Sequence, residues 1–134
     1  MKFFGTDGIR GKAYDTLPLL RAYQLGFAIK SLYLNQKVVI GYDTRESSVD
    51  FVNALLSGLN DVDYEVAGIV TTPVIAHYSN IKSCIGIMIT ASHNPYYDNG
   101  LKVFNKGFKI NDEEKKSIEK KMIEKSTYNK SITS

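Results

Sequence analysis

The sequence lacks the features that are typical of disulfide-bonded, membrane-spanning and secreted proteins. Cys84 is its only cysteine, which excludes an internal disulfide. No apolar run approaches the ~18 residues that a membrane-spanning helix needs. Met1 and Lys2 lead into a glycine-containing segment and not into the apolar core of a secretion signal. We therefore expect a cytoplasmic protein with no membrane partner.

The sequence also lacks a large excess of either positive or negative charge. The formal net charge is +3 over 134 residues. Most of the clustered basic residues follow Asn111 and are interleaved with glutamates, which is typical of a solvated helix face. We expect no nucleic-acid partner. With 43% hydrophobic and 23% charged residues, the chain can bury the core of one globular domain.

Apolar and polar segments alternate along the chain in a way that predicts strands joined by helices. Short β-branched runs indicate strands, and longer amphipathic runs indicate helices. In chain order we predict a helix from an N-cap at Thr16 to Leu34, a strand over 37–42, a helix over 47–59, a strand over 64–70, a helix from a cap at Thr72 to about Asn80, a strand over 84–89, a hairpin over 101–110 and a helix capped by Asn111.

This order of elements predicts an α/β fold. Strands that alternate with helices make right-handed crossovers, which give a mostly parallel sheet with helices on both faces. The hairpin should pair antiparallel and form an edge of the sheet. We therefore expect a three-layer α/β/α sandwich. Its first helix should be covered over most of its surface, and the helix over 47–59 should bury the face that carries Val49, Val52, Leu56 and Leu59.

Polar residues gather where the predicted strands end. Residues 43–45, 71–73 and 90–94 each follow the carboxyl end of a strand. In a parallel sheet these ends share one edge, where α/β folds bind ligands. We predict that the functional site lies at this edge. Arg45 is a candidate phosphate-binding residue there, and a local ion pair with Asp43 at a helix start is the alternative.

Two further segments invite a functional interpretation. Asp61 and Asp63 resemble a metal-binding pair, but they lie between a helix and the start of a strand. We therefore place them at the opposite edge, as solvated turn residues. The glycine-rich segment 5–11 contains Arg10, and free backbone amides with a planar guanidinium suit a phosphate group. A plain surface loop is the alternative.

Three motifs carry a family resemblance. Residues 4–11 (Phe-Gly-Thr-Asp-Gly-Ile-Arg-Gly), 90–95 (Thr-Ala-Ser-His-Asn-Pro) and 98–102 (Asp-Asn-Gly-Leu-Lys) resemble the first domain of the phosphohexomutases. The first motif is most similar to the phosphoglucosamine mutase branch. The resemblance runs in the family's order to about Lys125. It implies that residues 1–125 form phosphohexomutase domain I and that residues 126–134 are a polar linker to a second domain.

The resemblance implies a phosphoryl-transfer reaction centred on Ser92. In that family the serine is carried as phosphoserine and gives its phosphoryl group to a hexose monophosphate. The resulting bisphosphate turns over in the site and returns its other phosphate to the serine. For glucosamine phosphate, this converts the 6-phosphate to the 1-phosphate, toward a peptidoglycan precursor. Mg²⁺ would bind Ser92 through its phosphate and take its other ligands from the second domain.

The resemblance also gives roles to the neighbours of Ser92. Lys102 and His93 are the candidates for proton handling and charge stabilisation, and Arg10 and Asn94 are candidates for binding substrate or phosphate. Each has a structural alternative. Lys102 could be a solvated edge charge and His93 could pin the turn, while Asn94, together with Asn99, could hold the shape of the loop.

The sequence departs from the family by its length. Phosphohexomutases are four-domain chains, and their metal loop, sugar-selecting loop and phosphate clamp have no counterpart here. One hypothesis is that the chain is a piece of a phosphoglucosamine mutase that is inactive alone. Its alternatives are a domain of a phosphomannomutase or phosphoglucomutase, and a stand-alone anion-binding or interaction module. The broad apolar surface of the first helix would suit such a module, since it could meet a partner.

Overall fold

The computed structural model describes residues 2–129, which contain six strands and four helices. In chain order they are β1 (Ile9–Lys12), α1 (Leu19–Leu32), β2 (Val38–Tyr42), α2 (Ser48–Gly58), β3 (Tyr64–Ile69), α3 (Thr72–Ile81), β4 (Ile85–Ile89), β5 (Asp98–Asn105), β6 (Phe108–Lys109) and α4 (Asp112–Met122).

The strands form one mixed sheet in the order β1-β5-β4-β2-β3, with β6 beside β5. β2 pairs parallel with both β3 and β4. β5 pairs antiparallel with β4, β1 and β6. The predicted α/β fold with a parallel centre and an antiparallel hairpin is therefore confirmed.

The hairpin has a neighbour that was not predicted, the short strand β1. β5 begins at Asp98, and its first half pairs with β1, so that Arg10 lies opposite Gly100. The glycine-rich segment 5–11 is therefore only partly a loop, since its second half is a strand at the sheet edge. A strand of four residues offers too short a pattern for periodicity to reveal. Its pairing brings Arg10 to the same end of the sheet as the β4–β5 loop.

Alternate residues of the central strands point to opposite faces of the sheet. Ile85, Ile87 and Ile89 of β4 belong to the larger core, which they share with α1, α2 and α4. Val39 and Met88 belong to a smaller core under α3. The central strands are thus covered on both faces, which explains why their sequences are almost uninterrupted apolar runs.

The first helix begins later than predicted. Its N-cap is Pro18 in an extended conformation, and no side chain caps it. The hydroxyl of Thr16 instead accepts a hydrogen bond of 2.8 Å from the amide of Lys12. Thr16 therefore closes the turn after β1 and is not the helix N-cap, so the predicted start of α1 was wrong.

The apolar surface of α1 is used within the domain. α1 packs on α2 and α4, and its contact with α2 is close. A Cβ at Gly26 would lie 2.3 Å from the carbonyl oxygen of Leu55, and a Cβ at Gly58 would lie 2.2 Å from that of Tyr23. This contact removes the support that the stand-alone hypothesis drew from an uncovered first helix.

The remaining helices refine the prediction. α2 buries Phe51, Val52 and Leu55, and Leu59 at its end is buried as predicted, whereas Val49 is 52% exposed, so the predicted apolar face was wrong at Val49. α3 has Thr71, not Thr72, as its N-cap. α4 begins as predicted: the Asn111 side chain accepts a hydrogen bond from the Glu114 amide, and the Glu114 carboxylate accepts one from the Asn111 amide.

Of the predicted linker, 126–134, the structure describes residues 126–129, and residues 130–134 lie outside the described residues. Residues 126–129 form no helix or strand, although the ring of Tyr128 lies 5.3 Å from that of Tyr23. Within residues 2–129, none of the helices combines the length and hydropathy needed to cross a bilayer.

Candidate functional site

The hydroxyl of Ser92 lies between two cations that other strands supply. Its Oγ is 2.9 Å from Nζ of Lys102 and 3.3 Å from a terminal nitrogen of Arg10. Ser92 belongs to the loop between β4 and β5, Lys102 to β5 and Arg10 to β1. Because β5 pairs with both other strands, the sheet itself sets this geometry. Three residues predicted from the sequence therefore meet at the carboxyl end of β4.

Ser92 has an unusual backbone conformation. Its φ is +55°, in the left-handed region that costs a non-glycine residue on the order of 1–3 kcal/mol. A short turn stabilises it: the Ser92 amide donates to Oγ1 of Thr90 at 2.8 Å, and the Asn94 amide donates to the carbonyl of Ala91 at 3.0 Å. The strained conformation presents the Ser92 side chain to solvent and to the two cations.

Arg45 reaches the same loop from the carboxyl end of β2. Its guanidinium donates to four backbone carbonyls: those of Ser92 at 2.6 Å, Asn94 at 3.1 Å, Pro95 at 2.6 Å and Asp98 at 3.1 Å. Its Nε also donates to the carboxylate of Asp43 at 3.0 Å. The Arg45 side chain is only 9% exposed. The predicted Asp43–Arg45 pair is therefore present, and Arg45 faces the loop backbone.

Asp43 accepts hydrogen bonds from three side chains. Thr90 donates to it at 2.6 Å, Ser48 at 3.2 Å and Arg45 at 3.0 Å. Burial acts to raise the pKa of Asp43, but the hydrogen bonds from Thr90 and Arg45 outweigh it and lower the pKa below its usual value. Both residues lie in segments that the sequence placed at this edge, 43–45 and 90–94, but the hydrogen bond between them joins residues distant in sequence and was not predicted.

The surroundings of Ser92 suit a negatively charged group. Burial, together with the charge of Arg10, lowers the pKa of Lys102 below its ordinary value. Within the described residues, Nε of Arg10 is buried without a hydrogen-bond partner. A phosphoryl group on Ser92 would place up to two negative charges next to both cations. The arrangement can therefore hold a phosphate group and neutralise its charge.

The other residues of the loop differ in their surroundings. Asn99 is buried and donates to the hydroxyls of Ser47 at 2.8 Å and Ser48 at 3.2 Å, which ties the start of β5 to α2. Asn94 is exposed and donates to the carboxylate of Asp98 at 3.3 Å. His93 is exposed at the loop tip, and no hydrogen bond joins it to any described residue, so the side chain does not pin the turn.

The glycine-containing segment before β1 lies against Lys102. A Cβ at Gly8, whose φ is +95°, would lie 2.3 Å from the carbonyl oxygen of Leu101. Glycine is therefore required for the segment to approach β5 so closely. A cavity of about 80 Å³ remains between them, lined in part by Asp7, Lys102 and Lys109. This segment forms one wall of the region beside Ser92.

The third polar strand end lies apart from this cluster. Residues 71–73 begin α3 after β3, and β3 is two strands away from β4, a separation of ~10 Å. Asp61 and Asp63 are exposed in the turn that precedes β3. Within residues 2–129, no cluster of three or more histidine, cysteine, aspartate or glutamate side chains could hold a metal ion.

The implied Mg²⁺ can be tested against the residues beside Ser92. The side chains within hydrogen-bond distance of its Oγ are the cations Arg10 and Lys102. The nearby carboxylate of Asp43 is engaged by Thr90, Ser48 and Arg45. Mg²⁺ prefers several oxygen ligands, carboxylates among them. The described residues alone therefore do not form a magnesium site.

Comparison with known proteins agrees with this geometry. The family model for phosphoglucomutase/phosphomannomutase, alpha/beta/alpha domain I, matches residues 1–129. The chain is 46% identical over 127 residues to the phosphoglucosamine mutase of Wolinella succinogenes, covering 89% of this chain and 28% of that protein. It is 44% identical over 130 residues to the phosphoglucosamine mutase of Nautilia profundicola, covering 92% of this chain and 30% of that protein. The chain thus spans less than a third of the length of these relatives.

A solved structure shows the same fold. A phosphoglucomutase/phosphomannomutase family protein from Burkholderia thailandensis superposes with a TM-score of 0.74 at 26% identity, over 91% of this chain and 30% of that one. The matched family model, the identity to curated relatives and the shared fold lead to one conclusion. The chain belongs to the phosphoglucomutase/phosphomannomutase family and corresponds to its α/β/α domain I.

Proposed function

We propose that this chain is the phosphoserine-bearing domain of a phosphoglucosamine mutase, which interconverts glucosamine 6-phosphate and glucosamine 1-phosphate through a bisphosphate. The observation that carries the proposal is the position of Ser92, whose Oγ lies 2.9 Å from Lys102 and 3.3 Å from Arg10 at the end of a buried strand.

In the first transfer, phosphoserine 92 is the donor. The bond between phosphorus and the Ser92 Oγ breaks as a hydroxyl oxygen of the sugar phosphate forms a new bond to phosphorus. The proton of that hydroxyl passes to a base, and Oγ leaves as a serine hydroxyl or alkoxide. Lys102 and Arg10 stabilise the charge on the transferring group and on the leaving oxygen, since preorganised cations act most strongly where charge develops.

The second transfer restores the enzyme. The other phosphate of the bisphosphate passes back to the Ser92 Oγ, which leaves the isomeric sugar monophosphate. Proton transfer to and from Oγ requires a group at the mouth of the site. His93, at the exposed tip of the loop, and Lys102, whose pKa is lowered by burial, are the groups that we assign to it. Asn94, on the same loop, is the residue that we assign to binding substrate or phosphate.

A divalent cation and further domains belong to this proposal. Mg²⁺ would bind an oxygen of the Ser92 phosphate and neutralise part of its charge, with its carboxylate ligands supplied by sequence outside this chain. Those domains would also bind the sugar. We therefore expect no mutase turnover by this domain alone. Sugar phosphates are charged and do not cross membranes unaided, so a cytoplasmic location follows, with the product supplying peptidoglycan synthesis.

The choice of sugar rests on the curated relatives, which are named phosphoglucosamine mutases. A second candidate comes from the structural comparison. A candidate phosphomannomutase from Thermus thermophilus shares the fold with a TM-score of 0.80 at 31% identity, over 89% of this chain and 29% of that one. A phosphomannomutase or phosphoglucomutase would place the same demands on Ser92, Lys102 and Arg10.

The test uses the complete polypeptide that carries this domain. It would be incubated separately with the 6-phosphates of glucosamine, glucose and mannose, and formation of each 1-phosphate would be measured. We expect glucosamine 6-phosphate to give the highest kcat/KM, intact mass to show one phosphate, and peptide mapping to place that phosphate on Ser92. Higher kcat/KM with mannose or glucose phosphate would favour the second candidate. Absence of both turnover and phosphoserine would contradict the mutase proposal.

A further inference from the structure

We propose that Asp43, Arg45 and Thr90 form a bracket that positions the Ser92 backbone, so that Oγ keeps its aim during both phosphoryl transfers. Its residue type alone suggests that Arg45 binds the phosphate of the substrate. In the bracket, Arg45 instead holds the backbone of the loop. This inference rests on the proposed function, because it concerns how the phosphoserine is held. It assigns positioning roles to residues that do not touch the reacting atoms.

The contacts of Arg45 support a positioning role. All three guanidinium nitrogens are engaged: Nε by Asp43, Nη1 by the carbonyls of Asn94, Pro95 and Asp98, and Nη2 by the carbonyl of Ser92. Four carbonyls that converge on one cation leave little room for a phosphate. The side chain is also 9% exposed, whereas a residue that binds substrate has to present its donors to solvent.

Asp43 orients the second arm of the bracket. An ionised carboxylate only accepts hydrogen bonds, so the hydroxyl hydrogen of Thr90 points to Asp43 at 2.6 Å. The Thr90 oxygen is then left with its lone pairs free to accept from the Ser92 amide, at 2.8 Å. The carbonyl of Ser92 is held by Arg45 at 2.6 Å. Both polar backbone groups of Ser92 are therefore fixed, and both arms lead to Asp43.

The bracket matters because Ser92 changes charge during the proposed cycle. Phosphorylation adds about −1.5 to −2 charges at neutral pH, and Arg10 and Lys102 attract this charge from one side. Ser92 has a left-handed backbone with φ of +55°, which an unsupported loop would relax. A displacement of ~1 Å at reacting groups can cost about 100-fold in rate. The hydrogen bonds that the bracket makes to the amide and the carbonyl of Ser92 oppose such a displacement.

The experiment compares Arg45→Lys and Arg45→Gln with the wild type in the complete polypeptide that carries this domain. A lysine keeps the charge but cannot reproduce the planar fork. We expect both variants to lower kcat by about 100-fold while KM changes by less than about 3-fold, since the substrate contacts remain. If Arg45 bound the substrate phosphate, the lysine variant would keep kcat and both variants would raise KM, which would overturn the inference.

Thr90 supplies an independent pair of variants. Thr90→Ser keeps the hydroxyl, and Thr90→Val keeps the shape without it. We expect the serine variant to retain most of kcat and the valine variant to lose about 10-fold or more, since one oriented hydrogen bond to the Ser92 amide is lost. Equal rates for the two would overturn the role of Thr90. This pair decides the matter if the Arg45 variants fail to fold by circular dichroism.

A matched control variant tests whether the effects are specific to the bracket. A readout other than turnover separates failure of the bracket from failure of the proposed function. Glu65→Gln removes the carboxylate of an ion pair with Lys37, 3.1 Å long, at the opposite edge of the sheet, and should leave kcat unchanged. In the 134-residue chain, amide hydrogen exchange at Ser92 should be faster in Thr90→Val than in Thr90→Ser. Equal exchange would contradict the bracket, whereas lack of turnover by the wild type would contradict only the mutase proposal.

Discussion

Carboxylates occur at both ends of the central strands, and their surroundings differ. Asp43, after β2, accepts hydrogen bonds from Arg45, Thr90 and Ser48, and through them it is joined to the loop that carries Ser92. Asp61 and Asp63, before β3, are exposed turn residues. The same type of side chain is thus joined to the Ser92 loop at one edge and solvated at the other. Strand direction decides the difference, because Asp43 follows the carboxyl end of β2, the side on which α/β sheets bind ligands, whereas Asp61 and Asp63 precede the amino end of β3.

The largest effect that should separate the two edges is that of Ser92→Ala. Without the hydroxyl, no phosphoserine can form, and we expect turnover of the complete polypeptide to fall by on the order of 10⁴-fold or more. Ser57→Ala is a suitable control, since that hydroxyl only donates to the carbonyl of Asn53 within α2. Substantial residual activity in pure Ser92→Ala protein would mean that another residue carries the phosphoryl group.

Lys102→Ala should have the next largest effect. We expect kcat to fall by about 100-fold to 1000-fold, because a cation that stabilises the transferring group is lost. The half-buried side chain lies at the sheet surface, so the melting temperature should change little. A loss of folded structure equal to the loss of activity would mean that Lys102 has a structural role.

The same lysine predicts a pH dependence. Burial lowers the pKa of Lys102, so its cationic form is lost at a lower pH than for an ordinary lysine. If the cation is needed, kcat should decline as the pH rises through the pKa that Lys102 has beside the Ser92 phosphate, whose charge opposes the effect of burial. Lys102→Arg keeps its charge over that range, so it should lack the decline whatever its maximal rate. An identical alkaline decline in both proteins would assign that titration to another group.

Asp43→Asn should affect stability as well as rate. The change leaves Thr90 and Arg45 facing a neutral amide, and we expect about 1–3 kcal/mol less free energy of unfolding at pH 7. Since hydrogen bonds lower the pKa of Asp43 in the folded state, this stabilisation is present above the unfolded pKa of about 3.9 and is lost as the pH falls through the folded value. Urea unfolding of both proteins should therefore converge at low pH.

The control for Asp43→Asn is Glu65→Gln. Glu65 pairs with Lys37 and also accepts a hydrogen bond from the hydroxyl of Tyr78 at 2.8 Å, but 43% of its side chain is exposed against 26% for Asp43, and exposed ion pairs contribute little. Its loss of unfolding free energy should be clearly smaller. If Glu65→Gln destabilised the protein as much as Asp43→Asn, the contrast between the two edges of the sheet would not hold for stability.

Much of the fold could be predicted from local pattern. The apolar run that became β4 and the Asn111 cap of α4 both depend on a few neighbouring residues, and both were predicted. Ser92 could be placed near a functional edge because strand direction follows from the alternation of strands and helices. The resemblance of the loop motif to the phosphohexomutases added the role of Ser92, which periodicity could not give.

What could not be predicted depends on contacts between distant residues. The strand β1 forms by pairing with β5, and no pattern within residues 9–12 predicts that pairing. Arg45 donates to carbonyls of the β4–β5 loop, which lies far from it in sequence, and no local pattern predicts these contacts. Val49 was placed on the wrong face of α2 because several apolar stripes fit the sequence of that helix, and packing against α1 and the sheet selected one of them.

Asp61→Asn should have the smallest effect. Asp61 has a φ of +69°, and asparagine tolerates this left-handed conformation at least as well as aspartate. Because the side chain is exposed and lies at the amino end of β3, we expect unchanged kcat and a change within about 0.5 kcal/mol in the free energy of unfolding. Urea unfolding and the mutase assay on the same preparation provide the measurement. A marked loss of activity would show that this edge takes part in the reaction, since the fold itself does not depend on the negative charge of Asp61.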